Sequence, residues 1–95
     1  MTKLQTDLLK ALKHVCLAWS NNATGFGMRG IPDVTVVTNK RIFFIEVKDE
    51  RTKDKMSELQ EFRKQQIEEC GHFVFVCKNK EDINFIVQCI KLGNL

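Results

Sequence analysis

The chain lacks the spacings that would make it a zinc protein. Cys16, Cys70, Cys77 and Cys89 form no C-x-x-C pair, and neither His14 nor His72 stands at a zinc-ligand interval from them. Cys16 and Cys70 are expected on apolar helix faces and Cys77 at the end of an apolar strand, so buried, reduced thiols of a cytoplasmic protein are the simplest account. No apolar run is long enough to span a bilayer, and no leader-like, repetitive or low-complexity segment is visible. Charge of one sign is scarce too: 15 Lys and Arg stand against 12 Asp and Glu, a formal charge of +3. Any affinity for a polyanion must therefore come from cations gathered on one side. With 95 residues and 43% hydrophobic content, one domain over 1–95 with a modest core is expected, and pairing with a second copy would add stability.

What is present is a spaced set of acids and an amine. Val34-Thr35-Val36-Val37-Thr38 and Ile42-Phe43-Phe44-Ile45-Glu46-Val47 are rich in β-branched and aromatic residues, with polar Asn39-Lys40 between them. This predicts a β-hairpin. A turn centred on Asn39-Lys40 pairs Thr38 with Arg41 and, counting outward, Asp33 with Glu46. Opposed strand residues hold their Cβ atoms about 4.5–5.5 Å apart, and like charges at that distance repel unless a cation offsets them. Strand alternation puts Phe44, Glu46 and Lys48 on one face and Phe43, Ile45 and Val47 on the other, so Lys48 emerges beside the two acids.

Two carboxylates and an amine are the parts that metal-assisted phosphodiester cleavage needs. Mg²⁺ takes oxygen ligands, often one or two carboxylates, and keeps waters and substrate phosphate in its remaining positions. The ion acidifies a bound water and polarises the phosphate, and a neighbouring amine stabilises the charge of the transition state. Each half of the pattern alone has a plain reading. Glu-x-Lys often ends a solvated strand, and Pro-Asp is a frequent turn element. Their spacing and order raise the chemical reading above the plain one.

Gly30-Ile31-Pro32-Asp33, Phe44-Ile45-Glu46-Val47-Lys48, Ser57-Glu58-Leu59-Gln60 and Gly71-His72-Phe73-Val74-Phe75-Val76 resemble the successive blocks of the VRR-NUC family, the virus-type replication-repair branch of the PD-(D/E)xK nucleases. The resemblance runs from about Gly30 to about Ile86. It implies an α/β fold with a PD-(D/E)xK restriction-endonuclease-like core, a mixed β-sheet flanked by helices in the order αβββαβ plus a C-terminal helix. It also implies metal ligation by Asp33, Glu46 and the main-chain carbonyl of Val47, with Mg²⁺ or Mn²⁺ as the ion, a catalytic Lys48 and an active-site Gln60. Small members of the family resemble endonucleases that act on branched DNA, including four-way junctions, commonly as homodimers, in phage-infected or bacterial cells. One departure stands out: the family places an acid near the start of its first helix, where this chain reads Thr2-Lys3-Leu4-Gln5-Thr6-Asp7. Gln5 or Asp7 would have to replace it, and the number of ions stays open.

The rest of the chain supports that frame. Leu4, Leu8, Ala11, Leu12, Val15, Cys16 and Trp19 recur at helical spacing, predicting a helix near 3–19 with Trp19 in the core. The turn-rich stretch 20–29 has room for a short first strand, with Phe26 and Arg29 as candidate DNA contacts, although Phe26 better suits a core gap. Gly30 and Pro32 fix the direction in which the chain enters the Asp33 strand. Ser57 is the expected cap of a helix that buries Leu59, Phe62, Ile67 and Cys70 before Gly71 stops it. The apolar run Phe73–Cys77 predicts a strand covered on both faces, central in the sheet, and a closing helix follows from 81. The alternating charges of 48–55 read as a solvated loop or, through Arg51, Lys53 and Lys55, as a DNA clamp. Two functions follow: a metal-dependent endonuclease, or a nucleic-acid-binding or assembly module that keeps the fold without catalysis. A sequence-reading restriction enzyme has little room at this length.

Overall fold

The structure, a computed structural model, describes residues 2–22 and 27–95. Phe26 lies outside the described residues. Helix α1 spans Lys3–Leu12, started by Thr2, whose hydroxyl accepts the Gln5 N–H. Leu4, Leu8 and Leu12 follow one another at four-residue spacing and are all buried, the stripe that seats the helix on the sheet.

The helix stops well short of residue 19. Val15 and Cys16 N–H groups both bond the Leu12 carbonyl in a closing turn, and strand β1 follows at Leu17–Ser20. The first strand therefore overlaps the end of the segment expected to be helical, and Trp19, expected in the core, is 45% exposed. The apolar residues at 15, 16 and 19 fit a helical stripe, but pairing with the next strand satisfies the backbone of Leu17–Ser20 and wins over local periodicity.

Strands β2 (Val34–Val37) and β3 (Ile42–Val47) form the expected hairpin. Thr38 donates its N–H to the Arg41 carbonyl at 2.9 Å, which centres the turn on Asn39-Lys40. The register runs Val37↔Ile42, Val36↔Phe43, Thr35↔Phe44 and Val34↔Ile45, so the next pair outward is Asp33 with Glu46. Strand β4 (Val74–Cys77) pairs with β3 in parallel, giving a four-stranded mixed sheet in the order β1-β2-β3-β4. β4 is thus an edge strand, not a central one. Its apolar run reflects cover on both faces: Phe75 packs against Phe85 of the last helix, and Val74 is buried on the opposite face.

Helix α2 (Glu58–Glu69) and helix α3 (Lys80–Lys91) lie on opposite sides of the sheet. Val34, Val36, Phe43, Ile45, Val47 and Cys77 point to the α1 and α3 side, where Ile83 and Ile86 complete the core. Phe43 stacks on Phe73 with ring centroids 4.8 Å apart. The other face carries Phe44, Glu46 and Val74 and is only partly covered. Contrary to the predicted stripe, Phe62 of α2 is 51% exposed and Cys70 is exposed, leaving Leu59 and Ile67 as the half-buried residues that dock the helix. Of the other thiols, Cys16 is half-buried and Cys77 fully so, and burial pushes the Cys77 thiol up to about 11.

One glycine fixes where α2 begins. Gly30 has φ of +81°, and a Cβ placed there would stand 2.5 Å from Cγ of Leu59 and 3.1 Å from its carbonyl oxygen. The loop before Asp33 can touch α2 only because position 30 has no side chain. Gly30→Ala is expected to cost about 2–4 kcal/mol, combining left-handed backbone strain with overpacking. Denaturant unfolding checks this as a lower midpoint at unchanged slope.

Candidate active site

The site is built where β2 enters and β3 leaves the sheet. Asp33 extends the hairpin by one residue but alters its bonding: its carbonyl accepts the Asn21 N–H at 2.8 Å, and its carboxylate Oδ2 accepts the Val47 N–H at 2.8 Å. Oδ1 accepts from the Asn22 side chain at 2.7 Å. Asn21 braces the same turn through the Pro32 carbonyl and the Thr35 hydroxyl. Because a strand residue's N–H and C=O point the same way, the Val47 carbonyl also faces the β2 side, where Asp33 lies.

Glu46 is the unusual residue. It is 1% exposed, and its Oε2 finds no hydrogen-bond partner among the described residues. Its Oε1 accepts from Gln60 Nε2 at 3.2 Å and stands 4.0 Å from Lys48 Nζ. Burial pushes its carboxyl up to about 9, helped by the adjacent Asp33 carboxylate, while Lys48 pulls it down too weakly to compensate and Asp54 adds to the rise. Two adjacent acids, one of them buried and half-satisfied, are what an oxygen-preferring divalent cation would offset.

Gln60 does two jobs with one amide. Its Oε1 accepts the Ser57 N–H at 2.8 Å, closing a capping box with the Ser57 hydroxyl, and its Nε2 holds Glu46. The start of α2 is thereby pinned to the end of β3. Lys48, 12% exposed in its side chain, lies beside Glu46 and also contacts Asp54 at 3.3 Å.

Asp33, Glu46, Lys48, Gln60 and the Val47 main chain therefore come together. Of the two candidates for the missing helix acid, Asp7 pairs with Lys3, whereas the buried Gln5 amide donates to Ser20 Oγ at 3.3 Å, and that oxygen also accepts the Asn22 N–H. Among the described residues no group of three His, Cys, Asp or Glu side chains is placed to hold a metal ion. The four candidate DNA contacts, Arg29, Arg51, Lys53 and Lys55, are all exposed, but Arg51 is folded onto Asp49 by contacts of 3.0 and 2.7 Å, which hold the Asp49 carboxyl down at about 2. The sequence reading missed Asn22 and Asp54. Asp54 lay inside the flagged charge-alternating loop, whereas nothing in the pattern around Asn22 announced a partner for Asp33.

A family model described as VRR-NUC domain matches residues 4–81, taking in α1 as well as every block of the site. The chain belongs to the VRR-NUC family. Comparison with curated proteins gave no match. Membership carries a nuclease-type function with DNA as the substrate, and the mixed sheet between helices agrees with the VRR-NUC fold. No helix among the described residues of this VRR-NUC domain is long and apolar enough to cross a membrane.

The raised Glu46 carboxyl has a consequence for stability. A folded-state value of about 9 against an ordinary 4.5 means that the neutral acid favours folding, an advantage complete below the lower value and lost as pH rises through the upper one. In EDTA, the melting temperature is expected to fall between about pH 5 and pH 9. Glu46→Gln, neutral throughout, should flatten that fall, as differential scanning calorimetry would read directly.

Proposed function

We propose that this VRR-NUC domain is a Mg²⁺- or Mn²⁺-dependent endodeoxyribonuclease that hydrolyses phosphodiester bonds in branched DNA such as four-way junctions. The observation that carries the reading is the buried Glu46 beside Asp33, with its Oε2 unpartnered among the described residues and its Oε1 4.0 Å from Lys48 Nζ. Asp33, Glu46 and the Val47 carbonyl would hold the ion, which would supply an acidified water and polarise the scissile phosphate. Gln60 keeps Oε1 of Glu46 turned toward α2, which leaves Oε2 as the free acceptor. Asn22 and the Val47 N–H fix the Asp33 carboxylate from two directions. Lys48 places its ammonium beside these acids, where charge builds on the phosphoryl oxygens in the transition state. Arg29, Lys53 and Lys55, with Arg51 once it leaves Asp49, supply phosphate contacts around the site.

The apolar part of the uncovered sheet face supports a homodimer. Leu17 and Trp19 of β1, Ile42 of β3 and Met28 are exposed large apolar residues, and the strand register puts the first three on the same face as Glu46. Two copies joined there would carry two sites at a fixed separation, as cutting paired strands of a junction requires. We place the protein in the cytoplasm, where its four free thiols persist.

Two experiments test this. Purified protein should nick a four-way junction with Mg²⁺ or Mn²⁺ and not in EDTA, and Lys48→Ala should lower the rate about 10²–10³-fold with the circular dichroism spectrum unchanged. Metal-independent cleavage would overturn the reading. Trp19→Glu should convert a dimer to a monomer by light scattering, and a wild-type monomer at micromolar concentration would refute the dimer.

A further inference from the structure

We infer that Asp54 is a displaceable counter-ion that occupies the phosphate-binding position of Lys48 until DNA arrives. The inference rests on the catalytic placement of Lys48 proposed above. Three observations carry it. First, the ammonium of Lys48 is closer to Asp54 Oδ2, at 3.3 Å, than to Glu46 Oε1, at 4.0 Å. Second, the two partners differ in burial: Lys48 is 12% exposed and Asp54 58%, so the pair lies across the mouth of the site with the acid on the solvent side. Third, Asp54 stands between the 3-10 turn Glu50–Thr52 and Ser57, in a stretch with no regular secondary structure, and Lys48 is its hydrogen-bond partner.

The charges make the exchange necessary. Asp33 and Asp54 against Lys48 leave the site negative whether or not Glu46 is ionised, so a phosphodiester is repelled and the cation nearest the acids is already paired. A divalent ion held by Asp33 and Glu46 would offset that repulsion but would not free Lys48. Only outward movement of Asp54 does so, and ion pairs with one solvent-facing partner are readily exchanged. An incoming phosphate then takes the Lys48 N–H that Asp54 had held. Asp54 thus weakens binding to every DNA and favours substrates that bring a phosphate to Lys48 while the ion is in place.

The test is binding of a four-way junction in Ca²⁺ across a salt series, together with single-turnover cleavage in Mn²⁺, for wild type, Asp54→Asn, Lys48→Ala and the double variant. Asp54→Asn should bind roughly two- to fivefold more tightly. Its plot of log affinity against log salt should steepen by up to about 0.9, because no freed Asp54 carboxylate takes up a cation when Lys48 turns to the phosphate. In the Lys48→Ala background the same change should have no such effect. The inference is overturned if Asp54→Asn leaves affinity and salt slope unchanged, if it slows cleavage at unchanged affinity, or if the gain persists without Lys48. Wild type that cleaves normally alongside any of these results refutes Asp54 alone, whereas wild type that neither binds nor cleaves refutes the nuclease reading as well.

Discussion

A carboxylate with almost no access to water, set against a second acid, is the constraint around which the rest of this molecule is arranged. Removing Glu46 from solvent carries a desolvation cost that Lys48, 4.0 Å away, does not offset, and one of its oxygens has no donor among the described residues. Hydrophobic packing on the opposite face holds this unfavourable pair in place. Phe43, Ile45 and Val47 alternate with Phe44, Glu46 and Lys48 along β3, so the residues that bury the strand in the core also aim the acid and the amine. Core and chemistry share one strand, and period-two alternation separates them.

The second helix shows how a weakly buried element can still be held accurately. None of its residues is buried, and its apolar contacts come from Leu59 and Ile67. Its position comes instead from close fit at its first turn: Leu59 against the bare Cα of Gly30, Ser57 as cap, and Gln60 on Glu46. The same glycine leads through Ile31 and Pro32 into Asp33. One short loop therefore sets both the entry of the first acid and the seat of the helix that restrains the second.

The hairpin and its consequences were legible because strand pairing is simple arithmetic once a turn is located: Asn39-Lys40 fixed the opposition of Asp33 and Glu46, and alternation fixed Lys48. Trp19 was not legible, because residues 15–19 satisfy helical spacing and strand alternation equally, and only the partner strand decides between them. The place of β4 in the sheet was hidden for a different reason. An apolar run reports that both faces are covered, which helices can do for an edge strand as well as a central one. Phe62 and Cys70 matched a helical stripe in sequence, yet α2 lies over too little of the sheet to bury them. Asn22 and Asp54 are long-range or loop partners whose roles depend on folding geometry.

The shared amide of Gln60 also says why that position reads Gln. A capping box works with Glu or Gln at its third residue, because either side chain offers an oxygen to the cap's N–H. Only Gln also has an NH₂ to give, and here it is given to Glu46. Glutamate would fold the helix start equally well and set a third negative charge against the acid pair. The choice between two residues that helix formation treats as equivalents is thus made by the neighbouring strand, and it leaves a chemical signature of the site in an otherwise ordinary helix cap.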